Sequence, residues 1–187
     1  MESIKQDIKA LLSEADRVLV AIDGMSASGK TTLAGELFKA FDCNVFHMDD
    51  FFLPEKLKTP DRLSQAGGNV DYLRFKTEVA DKLTLGEPFT YRVYDCKKGE
   101  FSQTVFVMPK RLNIVEGAYS LHPSFSGIFD YKILMKIESR LQRSRIAQRN
   151  GSAMLSRFLG EWIPKENEYF ERFNIESLCD RVIHIGL

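Results

Sequence analysis

The stretch Ile22-Asp23-Gly24-Met25-Ser26-Ala27-Ser28-Gly29-Lys30-Thr31-Thr32 satisfies the phosphate-loop pattern G-x-x-x-x-G-K-[ST] at every fixed position. Before it, Arg17-Val18-Leu19-Val20-Ala21-Ile22 is a short apolar run rich in β-branched residues. After it, apolar residues recur at helical spacing from Thr31 to Phe41, so strand, loop and helix arrive in the order the pattern needs. Gly24 and Gly29 can take backbone angles closed to other residues, which turns successive N–H groups inward around an anion. The helix beginning near Lys30 adds its partly positive N-terminus to that cradle. Lys30 is expected to reach the β- and γ-phosphates of a nucleoside triphosphate, and the Thr31 hydroxyl to take a place on Mg²⁺. A Gly/Ser-rich loop that only caps a helix does not require glycine, lysine and threonine at these offsets after a buried strand.

The 187 residues suit one domain, 1–187, and 44% apolar with 28% charged residues is ordinary for a soluble globular chain. Lys+Arg and Asp+Glu both number 26, so there is no overall basic field to draw the chain to nucleic acid or to an anionic membrane. A small-molecule partner is the expectation. Met1-Glu2-Ser3-Ile4-Lys5-Gln6 lacks the apolar core of a signal peptide and no apolar run approaches membrane-spanning length, which predicts a cytoplasmic protein. Cys43, Cys96 and Cys179 are far apart and outside any C-x-x-C spacing, so neither a disulfide framework nor a zinc site is expected.

Along the chain, Ile4, Ile8, Leu11 and Leu12 share one face of a predicted helix over 3–15, with Ser3 as its N-cap. Cys43 to Met48 reads as a second buried strand, delivering Asp49 and Asp50 from its carboxyl end. Ligands of open α/β sheets gather there, so these carboxylates should look toward the phosphates. Being adjacent, they point in different directions: one can act as general base toward a hydroxyl while the other caps the next segment or holds a Mg²⁺-bound water. His47 reads as a strand residue. Residues 54–69, with Pro54, Pro60, Gly67 and Gly68, read as an exposed loop of the kind that closes over substrates, before a helix from Val70 to Leu85. Phe89 to Tyr94 and Thr104 to Val107 read as a hairpin standing apart from the main sheet.

Leu112 to Val115 is a third buried strand ending at Glu116, where a phosphate-loop enzyme needs an acidic residue; Glu116 can serve at the Mg²⁺ or as the base. A fourth strand over 132–137 precedes an arginine-dense helix from Glu138 to Arg149, in which Arg145 and Arg149 share one face. Placed after a strand end in a phosphate-binding chain, these arginines read as a lid that stabilises charge on a transferring phosphoryl group. Residues 152–178 read as helical, with Trp162, Ile163, Tyr169, Phe170 and Phe173 as packing residues, and Arg181 to Ile185 as the last strand.

Taken together, the chain resembles the uridine kinase and nicotinamide riboside kinase family of P-loop kinases, relatives of phosphoribulokinase and bacterial pantothenate kinase. The likeness runs over nearly the whole chain, through Gly24 to Thr32, Asp49-Asp50-Phe51-Phe52, Asn69-Val70-Asp71, Val93-Tyr94-Asp95, Ile114-Val115-Glu116-Gly117 and Arg140 to Arg149. The resemblance implies an α/β three-layer sandwich: a five-stranded parallel sheet of order 2-3-1-4-5 flanked by helices, with an accessory hairpin and an arginine-bearing lid. It implies ATP and Mg²⁺ as cofactors and a hydroxyl of a nucleoside-like acceptor as substrate. Gly24, Ser26, Ala27, Ser28, Gly29, Lys30, Thr31, Thr32 and Arg149 would hold ATP, Thr31 and Glu116 the metal. Asp49 would contact the ribose and act as base toward its 5′-hydroxyl, Asp71 would bind the ribose diol, Tyr94 would lie against the base, and Arg145 would reach substrate and phosphates.

The sequence departs from typical uridine kinases in one place: Asp95 is followed by Cys96-Lys97-Lys98-Gly99-Glu100, where those enzymes carry a histidine that reads the pyrimidine. Asp49-Asp50-Phe51-Phe52 looks closer to nicotinamide riboside kinases. Uridine, cytidine and nicotinamide riboside-like acceptors therefore all stand, beside a non-nucleoside such as pantothenate. A nucleotide-dependent switch is the alternative of another class, against which the chain has no Asn-Lys-x-Asp guanine-reading motif. Monomer and homo-oligomer both remain open.

Overall fold

A computed structural model describes residues 1–186; Leu187, the end of the predicted domain, lies outside the described residues. Strand β1 (Val18–Gly24) is buried at all seven positions, the pattern of a central parallel strand covered on both faces. Its alternate side chains feed two cores: Leu19 and Ala21 enter one, Val18, Val20 and Ile22 the other. The second core is closed by α1 (Glu2–Glu14) through Ile4 and Ile8, and by α2 (Lys30–Ala40) through Leu33 and Leu37. Helix α1 starts one residue before the predicted Ser3 cap, with Met1 at the cap position and no side-chain cap bond. Acidic Glu2 in the first turn complements the helix dipole without one.

The main sheet also contains β2 (Cys43–His47), β5 (Leu112–Glu116), β6 (Tyr131–Ile137) and β7 (Arg181–Ile185). All of its neighbours are parallel, in the spatial order β2-β5-β1-β6-β7. Between β2 and β5 in sequence lies a separate antiparallel pair, β3 (Phe89–Asp95) and β4 (Glu100–Val107). Counting the parallel strands alone, the order is 2-3-1-4-5, as the resemblance implied.

The hairpin is a separate sheet, but it is docked rather than free. Tyr91 stacks on Phe51 at 5.4 Å and packs on Phe46 at 5.8 Å, so β3 covers the end of β2 with an aromatic layer. The expected helix over 70–85 begins later. Val70 is taken by a bridge to Phe52, and α4 (Tyr72–Phe75) starts behind an Asp71 cap that accepts the Arg74 N–H at 3.1 Å. It continues through a wide turn at Lys76–Ala80 into α5 (Asp81–Leu85). The segment 54–69 is less exposed than its composition suggested. It holds a short helix α3 (Pro60–Leu63), and its end packs inward, with Ala66 buried and the Gly67 carbonyl accepting from the buried Tyr72 hydroxyl at 2.7 Å. Helix α6 (Ser139–Arg157) follows β6 and is interrupted at Gly151 (φ 80°, ψ 170°). A wide turn at Phe158–Trp162 then leads into α7 (Ile163–Arg172).

Candidate functional site

The phosphate loop leaves β1 at Gly24 and enters α2 at Gly29. Gly29 occupies the N-cap position with φ 102° and makes no side-chain cap, which leaves the first N–H groups of α2 free to face an anion. Lys30 folds across the loop and donates to the carbonyls of Gly24 at 2.7 Å and Met25 at 3.1 Å. Thr31 and Thr32 stand exposed in the first helical turn. Ser28 is buried in the loop, and its hydroxyl has no partner among the described residues. An orphaned donor inside a ring of N–H groups fits a phosphate-binding cradle.

Strand ends bring the acidic residues to this loop. Buried Glu116, at the end of β5, sets both carboxylate oxygens 3.2 Å from the Thr31 hydroxyl. His47, at the end of β2 beside it, holds Glu116 Oε1 through Nδ1 at 2.6 Å. That bond raises the His47 pKa against the opposing effect of burial, with the Glu116, Asp50 and Asp49 charges adding to it. One hydroxyl and one carboxylate are hard oxygen donors of the kind Mg²⁺ uses when phosphates and water complete its shell. No cluster of three or more His, Cys, Asp or Glu able to cage a metal occurs among the described residues.

The two adjacent aspartates do point apart. Asp49 faces the cleft within electrostatic reach of Glu116, Lys30, His47 and Arg149. Although it keeps solvent access, the protein crowded around it raises its pKa, and Glu116 repulsion adds to the rise. Asp50 turns to the hairpin, where the Tyr91 hydroxyl donates to it at 3.2 Å and Arg74 donates to its backbone carbonyl at 2.9 Å. Arg145 donates to the Ala27 carbonyl at 3.1 Å, so it reaches the phosphate loop from α6. Arg149, one turn on, hydrogen-bonds Asn150 at 2.8 Å and lies in the field of Asp49. Asp71 caps α4 and also pairs with the Arg74 guanidinium at 3.5 Å. Tyr94 is buried, with the Phe101 ring edge-on at 5.5 Å.

Lys30, Thr31, Asp49, Glu116, Arg145 and Arg149 thus surround one cleft at the carboxyl ends of β1, β2, β5 and β6. Asp71 and Tyr94 lie beside Arg74 and the hairpin. Residues that reading the sequence did not single out sit at the same place. His47 was read as a strand residue, yet its position just before Asp49 at a strand end was the available signal. Glu166 and Gln142 carried no such signal, since they reach the loop from segments remote in sequence, and Asp23, just before the loop, finds its partners Tyr119, Leu121 and Tyr169 equally far away.

Comparison with known proteins agrees with the fold. No family model matches the chain. The curated nicotinamide riboside kinase of Saccharomyces cerevisiae is 28% identical over 185 residues, covering 86% of this chain and 75% of that protein. A solved structure described as a possible uridine kinase from Bacillus stearothermophilus superposes with a TM-score of 0.69 at 21% identity, covering 98% of this chain and 100% of that one. Phosphoribulokinase from Rhodobacter spheroides gives a TM-score of 0.61 at 15% identity, covering 90% of this chain and 70% of that one. Sheet order, phosphate loop and these likenesses define the fold of the P-loop kinases. Within that fold the chain is similar to members of the uridine kinase and phosphoribulokinase-like family.

Proposed function

We propose that this chain transfers the γ-phosphoryl group of ATP to a hydroxyl of a nucleoside-like acceptor, giving the 5′-monophosphate. The observation that carries this reading is the meeting of Lys30, Thr31, Asp49 and Glu116 at one cleft, with Arg145 reaching over it. Bound Mg²⁺ would neutralise phosphate charge, held through Thr31 and Glu116. Lys30 exchanges its loop carbonyls for phosphate oxygens, and Arg145, with Arg149 behind it, faces the charge that grows on the transferred group. Asp49 takes the proton of the acceptor hydroxyl: it is the cleft carboxylate left free, since Glu116 is committed to Thr31 and His47, and Asp50 to Tyr91. The nicotinamide riboside kinase relative favours a riboside acceptor.

A second acceptor class is favoured by one observation. Asp71 and Tyr94, which the family resemblance assigns to ribose and base, are engaged by Arg74 and Phe101. An acceptor that carries a primary hydroxyl without a ribose diol would leave both contacts undisturbed.

The test is acceptor-dependent ADP release from Mg-ATP with uridine, cytidine, nicotinamide riboside and pantothenate in turn, with the product identified by mass spectrometry. A riboside 5′-monophosphate is the expected product. Turnover of pantothenate alone would transfer the assignment to the second class, and ATP hydrolysis indifferent to every acceptor would support a nucleotide-dependent switch instead.

A further inference from the structure

Two side chains from outside the phosphate loop take every polar group of Ser26, and a third takes the carbonyl after it. Glu166, buried on α7, accepts the Ser26 N–H at 2.8 Å through Oε2 and the Ser26 hydroxyl through Oε1. Gln142, buried on α6, donates to the Ser26 carbonyl at 3.0 Å. Arg145 takes the next carbonyl, that of Ala27. One turn beyond Glu166, the Tyr169 hydroxyl donates to Asp23 at 2.7 Å, just before the loop.

Ala27 explains why such a clamp is needed. Its φ is 61°, a left-handed conformation that is strained for a residue with a Cβ. Strained backbone of this kind persists only where its surroundings over-determine it. Here the bonds to Ser26 hold one side of Ala27 and Arg145 holds its carbonyl, while the Ser28 N–H donates back to the Met25 carbonyl at 3.1 Å, so the loop delivers Gly29 and the start of α2 in a fixed position. A buried carboxylate is also costly to place beside an anion site, and burial raises the Glu166 pKa against the opposing effects of Lys30 and Ser26. Packing alone would be served as well by an apolar residue at this position.

We infer that Glu166 is a positioning residue for nucleotide binding: through Ser26 it fixes the crest of the phosphate loop in the shape that receives the triphosphate. It touches no reacting atom. The inference rests on the kinase reading and deepens it by assigning to the helix after the lid the task of shaping the ATP site.

The test measures Mg-ATP dissociation constants by calorimetry, together with kcat and KM for ATP, in the full chain and in Glu166→Ala, Glu166→Gln and Glu166→Asp. Glutamine can accept the Ser26 N–H through its carbonyl and donate its amide to the Ser26 hydroxyl, so it should stay within about threefold of the parent. Alanine loses both bonds, and aspartate draws the carboxylate back by one methylene. Each should weaken ATP about tenfold or more, with a smaller effect on KM for the acceptor. If the alanine variant does not fold, the glutamine–aspartate comparison still decides. Folded alanine or aspartate variants with parental ATP affinity and a lowered melting temperature alone would overturn the inference, as would a glutamine variant as impaired as alanine. Failure of the parent chain to bind Mg-ATP would be a different outcome, overturning the kinase reading on which the inference stands.

Discussion

Gly24→Ala and Gly29→Ala should separate the two glycines of the phosphate loop, which the motif treats alike. At Gly24 (φ +148°) an added Cβ would stand 2.2 Å from the Met135 carbonyl oxygen and 2.8 Å from the Met135 carbonyl carbon and amide nitrogen. These are backbone atoms of β6, paired with β1 at this position, and they cannot swing aside. Relieving the contact means opening the strand pair by about 1 Å at its loop end. That would break the Met25 N–H bond to the Met135 carbonyl, 3.0 Å long. A buried bond lost costs about 1–3 kcal/mol and the left-handed backbone about 1–2 kcal/mol more, which gives on the order of 2–5 kcal/mol in all. At Gly29 (φ +102°) the Cβ would meet only the Met135 Cε at 3.8 Å, an ordinary contact, so the backbone strain stands alone. With about 2–4 °C lost per kcal/mol in a chain of this size, Gly24→Ala should melt roughly 4–20 °C below the parent and Gly29→Ala, carrying the backbone strain alone, roughly 2–8 °C below. Circular dichroism melts and urea midpoints measure both. Equal losses, or a larger loss at Gly29, would refute the claim that sheet contact rather than phosphate contact dictates glycine at position 24.

Lys30→Ala should lower turnover on the order of a hundredfold or more while leaving the melting temperature close to the parent, and near-parental phosphotransfer would overturn the role given to this lysine. Asp49→Asn, compared with Asp50→Asn and Glu116→Gln at saturating Mg-ATP, should fall furthest, by roughly 10²–10⁴-fold in kcat. Because crowding raises the Asp49 pKa, the parent's rate should fall with decreasing pH from a point above the ordinary carboxylate range; loss of activity in Glu116→Gln with Asp49→Asn still active would move the base to Glu116. Arg145→Ala should slow kcat more than it weakens ATP binding if the arginine acts on the transition state; unchanged kinetics would return it to a loop contact. His122, stacked on Tyr72 at 3.9 Å, is held down to about 4 by burial and by Arg62, against an ordinary value of 6.5. The unfolded chain therefore binds the proton more readily, so this stability is present above pH 6.5 and lost as pH falls toward 4, by at most about 1.4 kcal/mol per pH unit. Urea midpoints of His122→Asn should fall less steeply over that window, and parallel slopes would refute it.

The motif from Gly24 to Thr32 and the apolar run before it were enough to set the class of fold, because a phosphate loop works only between a buried strand and a helix N-terminus. Asp49, Glu116 and Arg145 were legible for a related reason: each follows a strand of the sheet, and parallel connectivity carries every strand's carboxyl end to the same edge. What each carboxylate does there was not legible. Asp49 and Asp50 are neighbours in sequence, and only the docking of the hairpin, through Tyr91 and Arg74, turns one toward it and leaves the other in the cleft. His47 looks like any half-buried strand residue until β2 pairs with β5 in the register that sets it opposite Glu116. The grip of Glu166 on Ser26 spans 140 residues of sequence. Local periodicity reports which face of a helix is buried, whereas the partner of a buried carboxylate is decided by the packing of α7 against the loop, and that is a property of the assembled fold alone.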